Sequence, residues 1–403
     1  MARNTLGFDA GSLKLASPAQ SLAPIKGIPG FTNGKKRSVG GAAGVPVVLG
    51  TAGLWSWGFN VNGLLGLGNS TNYSSPMQVG GLSSWVTLAN GVNFSLAIKT
   101  DGTLWSWGAN DHGQQGQGGG LSVSSPQQVG ALTTWSKVSG GGLRQSPLAI
   151  KTDGTFWAWG YNAQGQLGLG DTTNRNSPVQ VGALTNWAMS AGGAPTSAAI
   201  KTDGTLWTWG GNYAGGLGLG NTTNYSSPKQ VGALTTWSKV AVGYNFMIAI
   251  KTNGTLWSWG RNNSGGRLGL GNLTNYSSPK QVGALTTWST ITTPSTFCLA
   301  IKTDGTLWSW GNNYAGELGH NNLTEYSSPK QVGALTNWAR ASSIGQTSLV
   351  TKTDGTLWSW GSGGSGRLGL GNTTSYSSPK QIGALTTWTT AEGGPHSLAL
   401  KTP

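Results

Sequence analysis

The chain has 403 residues, a formal net charge of +14 at pH 7, 68 glycines and only 9% charged residues. So much glycine is typical of low-complexity chains, but 21 tryptophans argue against disorder and indicate a large apolar core. The single cysteine, Cys298, excludes intrachain disulfides, and eleven carboxylates leave little material for acid–base chemistry or a calcium site.

Residues 1–45 contain no copy of the repeat that fills the rest of the chain. They are rich in Gly, Ser, Ala and Pro, and they lack the continuous apolar run of a signal peptide. No stretch of the chain is long enough to span a bilayer. We interpret this segment as an extended basic arm, which is either a flexible tail or an anchor in a larger assembly. Its cations are Arg3, Lys14, Lys26, Lys35, Lys36 and Arg37.

A unit of 50 to 52 residues recurs through residues 46–403. Three tryptophans in each of seven units account for all 21, which is the pattern of a propeller with seven blades. The first-position tryptophans are Trp55, Trp105, Trp157, Trp207, Trp257, Trp308 and Trp358. The second-position tryptophans are Trp57, Trp107, Trp159, Trp209, Trp259, Trp310 and Trp360. The third-position tryptophans are Trp85, Trp135, Trp187, Trp237, Trp288, Trp338 and Trp388.

The most constant part of the unit is a β-hairpin signal, as in Ala149-Ile-Lys-Thr-Asp-Gly-Thr-Phe-Trp-Ala-Trp-Gly160. Its Asp-Gly pair predicts a two-residue type I′ turn, which places Ile150 opposite Trp157. Side chains alternate between the faces of a sheet, so we expect one bulky and one thin face. The bulky face would hold Leu148, Ile150, Trp157 and Trp159, and the thin face Ala149 and Ala158. Each sheet would then pack its indoles on the thin face of the next.

A full unit predicts four short strands and no helix, because no long window has apolar residues at helical spacing. In one unit the strands cover residues 133–138, 148–152, 155–160 and 177–181. Pro178 begins the fourth strand, and a residue without an N–H favours the outermost position in a sheet.

The two ends of the repeat region each carry half of a hairpin. Leu398–Thr402 is a first half, and Gly53–Gly58 is a second half without an Asp-Gly turn before it. We predict that these segments pair, with Leu400 opposite Trp55, which removes the open edges of a linear array. Residues 47–49 compete for the same place, but the residues after them make a poor turn.

The unit Gly-Thr-Leu-Trp-Ser-Trp-Gly-x-Asn…Leu-Gly-Leu-Gly…Ser-Pro…Val-Gly…Trp…Ala-Ile-Lys-Thr-Asp resembles the regulator of chromosome condensation repeat. The resemblance covers about residues 47–403 and implies an all-β, seven-bladed β-propeller of four-stranded antiparallel blades. The family includes a guanine-nucleotide exchange factor on chromatin, fusion partners, and bacterial or phage proteins. The resemblance is therefore specific for fold and not for function.

The units differ mainly in two loops, one after the Trp-Gly pair and one between the third-position tryptophan and the next hairpin. Such divergence is typical of a partner surface and also of loops that vary freely. In this alignment Arg267 and Arg367 are insertions. The candidate partner-binding residues are Asp111, His112, Arg144, Gln145, Tyr244, Asn245, Arg267, Glu317, Glu325 and Arg367.

The positive charge could indicate a nucleic-acid partner, but the lysines recur at two fixed repeat positions. Seven-fold symmetry would spread them in rings along solvated strand edges, so we expect no nucleic-acid stripe. The hairpin lysines are Lys99, Lys151, Lys201, Lys251, Lys302, Lys352 and Lys401, and the outer-strand lysines are Lys229, Lys280, Lys330 and Lys380.

No catalytic, cofactor or metal site can be assembled from the sequence. Glu317 and Glu325 share one loop and could form an acid pair, although two solvated carboxylates is the favoured interpretation. The three histidines lie in different units, and by the family resemblance His396 occupies a position that often has a structural histidine. Cys298 precedes an apolar strand, which favours a packed thiol.

From these observations we predict a non-catalytic structural or interaction module. Its most concrete form is a virion protein, on a phage tail or capsid, that residues 1–45 anchor to other subunits. The propeller would bind a protein, a host-surface receptor or a glycan. Bacterial cytoplasm or the cell surface is the alternative location. The alternative functions are a guanine-nucleotide exchange or chromatin-binding factor like the family's namesake, and a glycan-binding or glycan-hydrolysing surface protein.

Overall fold

The structure is a computed structural model that describes residues 52–142, 145–193 and 195–402. The predicted arm, residues 1–45, and Arg144 lie outside these ranges. Within them, 28 strands form seven four-stranded antiparallel sheets. The predicted all-β propeller with seven blades is therefore confirmed.

The strands follow one another in the order of the repeat, with short 3₁₀ turns at Val61–Gly63, Tyr213–Gly215 and Gly364–Gly366. The strands are β1 (Gly53–Gly58), β2 (Tyr73–Ser83), β3 (Trp85–Asn90), β4 (Phe94–Lys99), β5 (Leu104–Gly108), β6 (Val123–Gln128), β7 (Trp135–Ser139), β8 (Leu148–Lys151), β9 (Phe156–Gly160), β10 (Arg175–Gln180), β11 (Trp187–Gly192), β12 (Thr196–Lys201), β13 (Leu206–Gly210), β14 (Tyr225–Gln230), β15 (Trp237–Val242), β16 (Phe246–Lys251), β17 (Leu256–Gly260), β18 (Tyr276–Gln281), β19 (Trp288–Thr292), β20 (Phe297–Lys302), β21 (Leu307–Gly311), β22 (Tyr326–Gln331), β23 (Trp338–Ser342), β24 (Thr347–Lys352), β25 (Leu357–Gly361), β26 (Tyr376–Gln381), β27 (Trp388–Glu392) and β28 (His396–Lys401).

Six blades each use four consecutive strands, and the seventh joins the two ends of the chain. Blades 1 to 6 are β3–β6, β7–β10, β11–β14, β15–β18, β19–β22 and β23–β26. Blade 7 has the order β2-β1-β28-β27, so the C-terminal strand pairs with the N-terminal strand as predicted. The register differs by one residue, because Leu400 lies opposite Leu54 and Trp55 opposite Ala399.

The hairpin turn explains this one-residue error. The Lys151 N–H bonds the Thr155 carbonyl at 3.1 Å, so the loop has three residues, and only its last, Gly154, has a positive φ of 77°. The Asp153 carboxylate accepts hydrogen bonds from the Thr155 N–H at 2.9 Å and hydroxyl at 2.7 Å. Those bonds favour a type I turn with a glycine bulge over the predicted type I′ turn. As a result Ala149, and not Ile150, lies opposite Trp157.

The shifted register changes the composition of the two sheet faces. Leu148, Ile150, Phe156 and Ala158 form one face of blade 2, and Ala149, Trp157 and Trp159 form the other. The face with Leu148, Ile150 and Phe156 packs against Trp187 and Trp209 of blade 3, while the face with the indoles packs against Phe94 and Leu96 of blade 1. Indoles still fill the space between the blades, but they lie on this large apolar face of the preceding blade and not on a thin face.

The three tryptophans of a blade meet edge to face. In blade 3, the Trp187 ring centroid lies 6.2 Å from that of Trp207 and 6.4 Å from that of Trp209. The Trp209 indole N–H donates to the Gln166 carbonyl of blade 2 at 2.9 Å, and the Trp207 indole donates to the Thr205 hydroxyl. All seven second-position tryptophans donate to the preceding blade in this way, at 2.7 to 3.1 Å.

The hairpin lysines do not form the solvated edges that the sequence analysis predicts. The Lys201 ammonium lies 3.8 Å from the Trp207 ring centroid and 5.0 Å from that of Trp187, and its exposed fraction is 8%. Burial lowers the pKa of Lys201 from its ordinary value. Cation–π attraction to the indoles stabilises an ammonium that burial alone would penalise.

Candidate functional site

The two variable loop sets of each blade lie on one face of the propeller, which we call the loop face. Antiparallel order brings the loop between the first and second strands beside the loop between the third and fourth. Backbone hydrogen bonds join them, from Ala109 to the Asn93 carbonyl at 2.7 Å and from Arg261 to the Asn245 carbonyl at 2.8 Å. The two sets therefore form a single surface in each blade.

A buried asparagine fixes the longer loop, the one between the third and fourth strands. The Asn212 amide donates to the Asn221 carbonyl at 3.1 Å and the Thr223 carbonyl at 2.9 Å, and its oxygen accepts the Leu217 N–H. Six blades have this asparagine, and Gly363 replaces it in blade 6. These hydrogen bonds hold the longer loop in place in those six blades. The asparagines are Asn60, Asn110, Asn162, Asn212, Asn262 and Asn313.

One residue of each longer loop supplies the carbonyl that accepts the indole of the following blade. In five junctions a serine hydroxyl or the Cys298 thiol also donates to that carbonyl, at 2.8 to 3.3 Å. Arg267 and Arg367 belong to this set, so their interpretation as insertions is wrong. The set is Leu64, Gln114, Gln166, Gly216, Arg267, Glu317 and Arg367. Burial raises the pKa of the Cys298 thiol well above its ordinary value, as a packed thiol requires.

Glu317 and Glu325 have separate structural partners. A Glu317 carboxylate oxygen accepts the Ala315 N–H at 2.8 Å, and Glu325 accepts the Asn312 side-chain amide at 2.9 Å. Glu317 is 2% exposed, which contradicts its interpretation as a solvated carboxylate, and burial raises its pKa. Each carboxylate is thus held by a hydrogen bond within the protein, which does not favour the pair of substrate-facing carboxyl groups that glycoside hydrolysis uses.

The exposed aromatic residues of the loop face concentrate on blades 3 to 5. The Arg261 guanidinium carbon lies 5.8 Å from the Tyr213 ring centroid and 5.9 Å from that of Tyr244. Tyr213 is 62% exposed, and Tyr314, at the same repeat position in blade 5, is 67% exposed. We call Tyr213, Tyr244 and Arg261 the loop-face patch.

Sequence reasoning identified only Tyr244 of this patch. Tyr213 and Tyr314 occupy a repeat position that holds Val61 in blade 7 and Ala163 in blade 2. A tyrosine at a position that holds a small or aliphatic residue in other copies is a signal of a binding residue that the sequence alone contains. Arg261 similarly replaces Gly211 of blade 3.

The other predicted partner-binding residues are dispersed. Asp111 is exposed on blade 1, and the ring of its neighbour His112 lies 4.8 Å from that of Tyr161. Gln145 and Asn245 adopt positive φ angles of 56° and 62°, and their carbonyls join the two loop sets. Arg267 is 2% exposed and Arg367 is half-buried, so neither offers a free guanidinium.

The first strands of the blades surround a central cavity of about 310 Å³. Its wall is mostly small, with Ala191 and Ala241 among the lining residues, and Glu392 is the one carboxylate on the described wall. The Ser342 hydroxyl donates to Glu392 at 2.6 Å, and burial raises the pKa of Glu392 to about 7. Tyr244 is the other ionisable side chain on the described wall.

Two further features bear on the possible classes of function. No three His, Cys, Asp or Glu side chains of the described residues are placed to share a metal ion. None of the helical turns among the described residues is long and apolar enough to cross a bilayer.

His396 lies at the junction that closes the ring. It is fully buried, and one ring nitrogen lies 2.8 Å from the Ser95 hydroxyl of blade 1. Burial lowers the pKa of His396 to about 3. At the equivalent position three blades have Phe94, Phe246 and Phe297. The structure thus assigns His396 a packing role as a neutral side chain.

This burial predicts a loss of stability in acid. Below pH about 6.5 the unfolded chain binds a proton on His396 that the folded protein excludes, so the free energy of unfolding should fall by roughly 3 kcal/mol between pH 7 and 4. His396→Phe should remove this part of the pH dependence in urea unfolding curves.

Glu392 acts in the opposite sense, because its raised pKa stabilises the folded state below its ordinary pKa and that contribution is lost as the pH rises to 7. The comparison should therefore be repeated in a Glu392→Gln background. An unchanged pH dependence in His396→Phe would contradict the assignment.

Comparisons with known proteins match most of the chain. A family model described as an RCC1-like domain matches residues 29–292, and one described as the regulator of chromosome condensation (RCC1) repeat matches residues 304–350 and 354–400. The ultraviolet-B receptor UVR8 of Arabidopsis thaliana is 31% identical over 174 residues, which are 42% of this chain and 39% of the receptor.

Two solved structures have the same fold. Human WBSCR16 superposes with a TM-score of 0.77 and 19% identity, covering 87% of this chain and 99% of its own. Prp20p from Saccharomyces cerevisiae, which has binding properties to Gsp1p and histones, superposes with a TM-score of 0.77 and 20% identity, covering 88% and 92%.

Proposed function

Because the chain belongs to the family of RCC1-like domains, we propose that it is a non-catalytic interaction module that binds a partner protein through its loop face. Relatives with this fold support a protein partner, since Prp20p has binding properties to other proteins. The buried carboxylates of the loop face and the central cavity, each held by structural hydrogen bonds, favour binding over catalysis.

The observation that carries this proposal is the loop-face patch. Tyrosine and arginine are the residue types that most often supply the binding energy of protein interfaces. Tyr213 exposes most of its ring, and Arg261 is positioned against two tyrosines. The loops beneath them are already fixed by buried asparagines, so little conformational entropy is lost on binding.

The test is a comparison of patch and control variants against one partner. Proteins captured from the source cells by the immobilised wild-type chain are identified, and their dissociation constants are measured. For a partner that binds the loop-face patch, Tyr213→Ala and Arg261→Ala should each raise the dissociation constant by about 10-fold or more. Leu121→Ala, which alters an 88% exposed side chain on the loop of blade 1, should leave that affinity unchanged. Equal affinity for all three variants would overturn the proposal.

The exchange-factor alternative makes a different prediction. The exposed and half-exposed carboxylates of the described loop face are Asp111 on blade 1, Asp171 on blade 2 and Glu325 on blade 5. They lie on separate blades, and Asp171 is paired with Arg175, so they do not form a common acidic surface. A small GTPase loaded with a fluorescent guanine nucleotide should therefore release it at the same rate with and without this protein. Accelerated release that the Arg261→Ala variant loses would replace our proposal with nucleotide exchange.

A finer form of the proposal makes the protein a virion component that residues 1–45 anchor to other subunits. Its support is the basic composition of that segment. In this form, deletion of residues 1–45 abolishes incorporation into particles and leaves binding through the loop-face patch intact. Particles that incorporate the truncated and complete chains equally would contradict the anchoring role.

A further inference from the structure

Cavities recur at the outer edge of the junctions between blades. The cavity between blades 3 and 4 has a volume of about 410 Å³, and the one between blades 7 and 1 has about 340 Å³. The first is lined by Gln230, Leu234, Trp237, Lys251, Trp257 and Pro279. The second is lined by the equivalent residues Gln78, Trp85, Lys99, Trp105 and Pro126. The same side chains thus form the same kind of space at two separate junctions.

The sequence places these residue types at every junction of the ring. A glutamine lies in the outer strand of each blade, and the following blade supplies two tryptophans, a lysine and a proline. The glutamines are Gln78, Gln128, Gln180, Gln230, Gln281, Gln331 and Gln381. Whatever binds at one junction therefore has up to seven chemically similar positions around the rim.

Each cavity combines an apolar wall with hydrogen-bonding groups. In the cavity between blades 3 and 4, the apolar wall consists of the half-buried Trp257 indole, Pro279 and Leu234, which is 48% exposed. The Gln230 amide and the Lys251 ammonium supply hydrogen-bonding groups on the same lining. Such a wall suits a ligand that has one apolar surface and several polar edges.

The third-position tryptophan has a buried donor without a partner. Trp237 lines the cavity and is only 3% exposed, yet its indole N–H has no hydrogen-bond partner among the described residues. The other third-position tryptophans, including Trp85 in the second cavity, share this property. The indole nitrogen is itself shielded from solvent, so Trp237 belongs to the cavity lining through its ring and not through an open donor.

We propose that each junction cavity binds one saccharide ring, which gives the rim up to seven equivalent carbohydrate sites. The C–H face of a pyranose packs on the indole and proline wall, as apolar ring surfaces do on aromatic side chains. Its hydroxyls accept hydrogen bonds from the lysine and bond the glutamine amide, and the third-position indole ring lines the site beside them. A polymer of repeating sugars would engage several sites at once, so weak single sites would add to strong overall binding. The rim sites are independent of the loop-face patch.

The test uses the indole N–H signals of protein labelled with ¹⁵N at tryptophan. Glucose, galactose and N-acetylglucosamine are titrated separately up to about 100 mM, a range that detects weak single-site affinities. With at least one sugar, signals of third-position tryptophans should shift. Signals of second-position tryptophans should stay in place, because their N–H groups are bonded to carbonyls within the protein. Trp237→Phe identifies the signal of one junction by its disappearance.

A single-site variant distinguishes local binding from a general effect. Gln230→Leu should abolish the shift of the Trp237 signal and leave the other third-position signals responsive. The control Tyr213→Ala, on the loop face, should preserve every shift. The proposal is overturned if no third-position signal responds to any of the three sugars, or if all three tryptophan classes shift together. An unaltered Trp237 response in Gln230→Leu would overturn it as well.

Discussion

Deletion of residues 396–403 is expected to prevent the propeller from folding stably. The deletion removes β28, which pairs with both β1 and β27 and buries Leu398 and Leu400. Each buried leucine is worth about 2–5 kcal/mol, so two account for much of the total stability of about 5–15 kcal/mol of a typical domain. Thermal unfolding followed by tryptophan fluorescence should show an unfolded or strongly destabilised chain.

The matched control for this deletion removes only Thr402 and Pro403. That variant keeps all of β28 and loses the bonds of Thr402 to the Thr387 carbonyl, so its melting temperature should fall slightly. If the longer deletion also melted within a few degrees of the complete chain, the closing strand would not hold the ring together.

Trp259→Ala is expected to cost about 4–6 kcal/mol of unfolding free energy. The indole is fully buried, and removal of such a ring leaves a cavity worth about 3–5 kcal/mol. The substitution also removes the hydrogen bond to the Gly216 carbonyl of blade 3, worth about 1 kcal/mol. Urea unfolding at constant protein concentration measures the difference.

Trp257→Ala is the control within the same strand. Trp257 is half-buried, and its hydrogen bond goes to Thr255 of its own blade. Its removal, with the loss of the contact to the Lys251 ammonium, should cost about 2 kcal/mol. Equal losses for the two variants would show that the contact between blades adds nothing beyond ordinary burial.

The sequence sufficed for the blade count, the four strands of a blade and the pairing of the chain ends, because every tryptophan has a fixed place in the repeat. The register failed for a local reason. An Asp-Gly pair suits both a two-residue and a three-residue turn, and the choice depends on the bonds between Asp153 and Thr155. A pattern of apolar residues contains no information about that bond.

The candidate site was harder to predict than the fold. The extra residue in the loop of blade 4 concealed that Arg267 and Glu317 occupy one repeat position. Their burial depends on the neighbouring blade, which no local pattern describes. The hairpin lysines were assigned to solvent because charge normally indicates exposure, whereas Lys201 lies between two indoles that are distant in sequence. Tyr213 could have been identified from the sequence as a candidate binding residue, since its position holds smaller residues in other blades.

Each second-position indole donates a hydrogen bond to the preceding blade, and because the blades form a ring, the seven bonds make a closed circuit. Trp107 of blade 1 donates to Leu64 of blade 7, and Trp57 of blade 7 donates to Arg367 of blade 6. No blade is therefore first or last in this circuit. A circularly permuted gene, opened between any two blades and joined across the natural termini, would encode the same set of donors and acceptors.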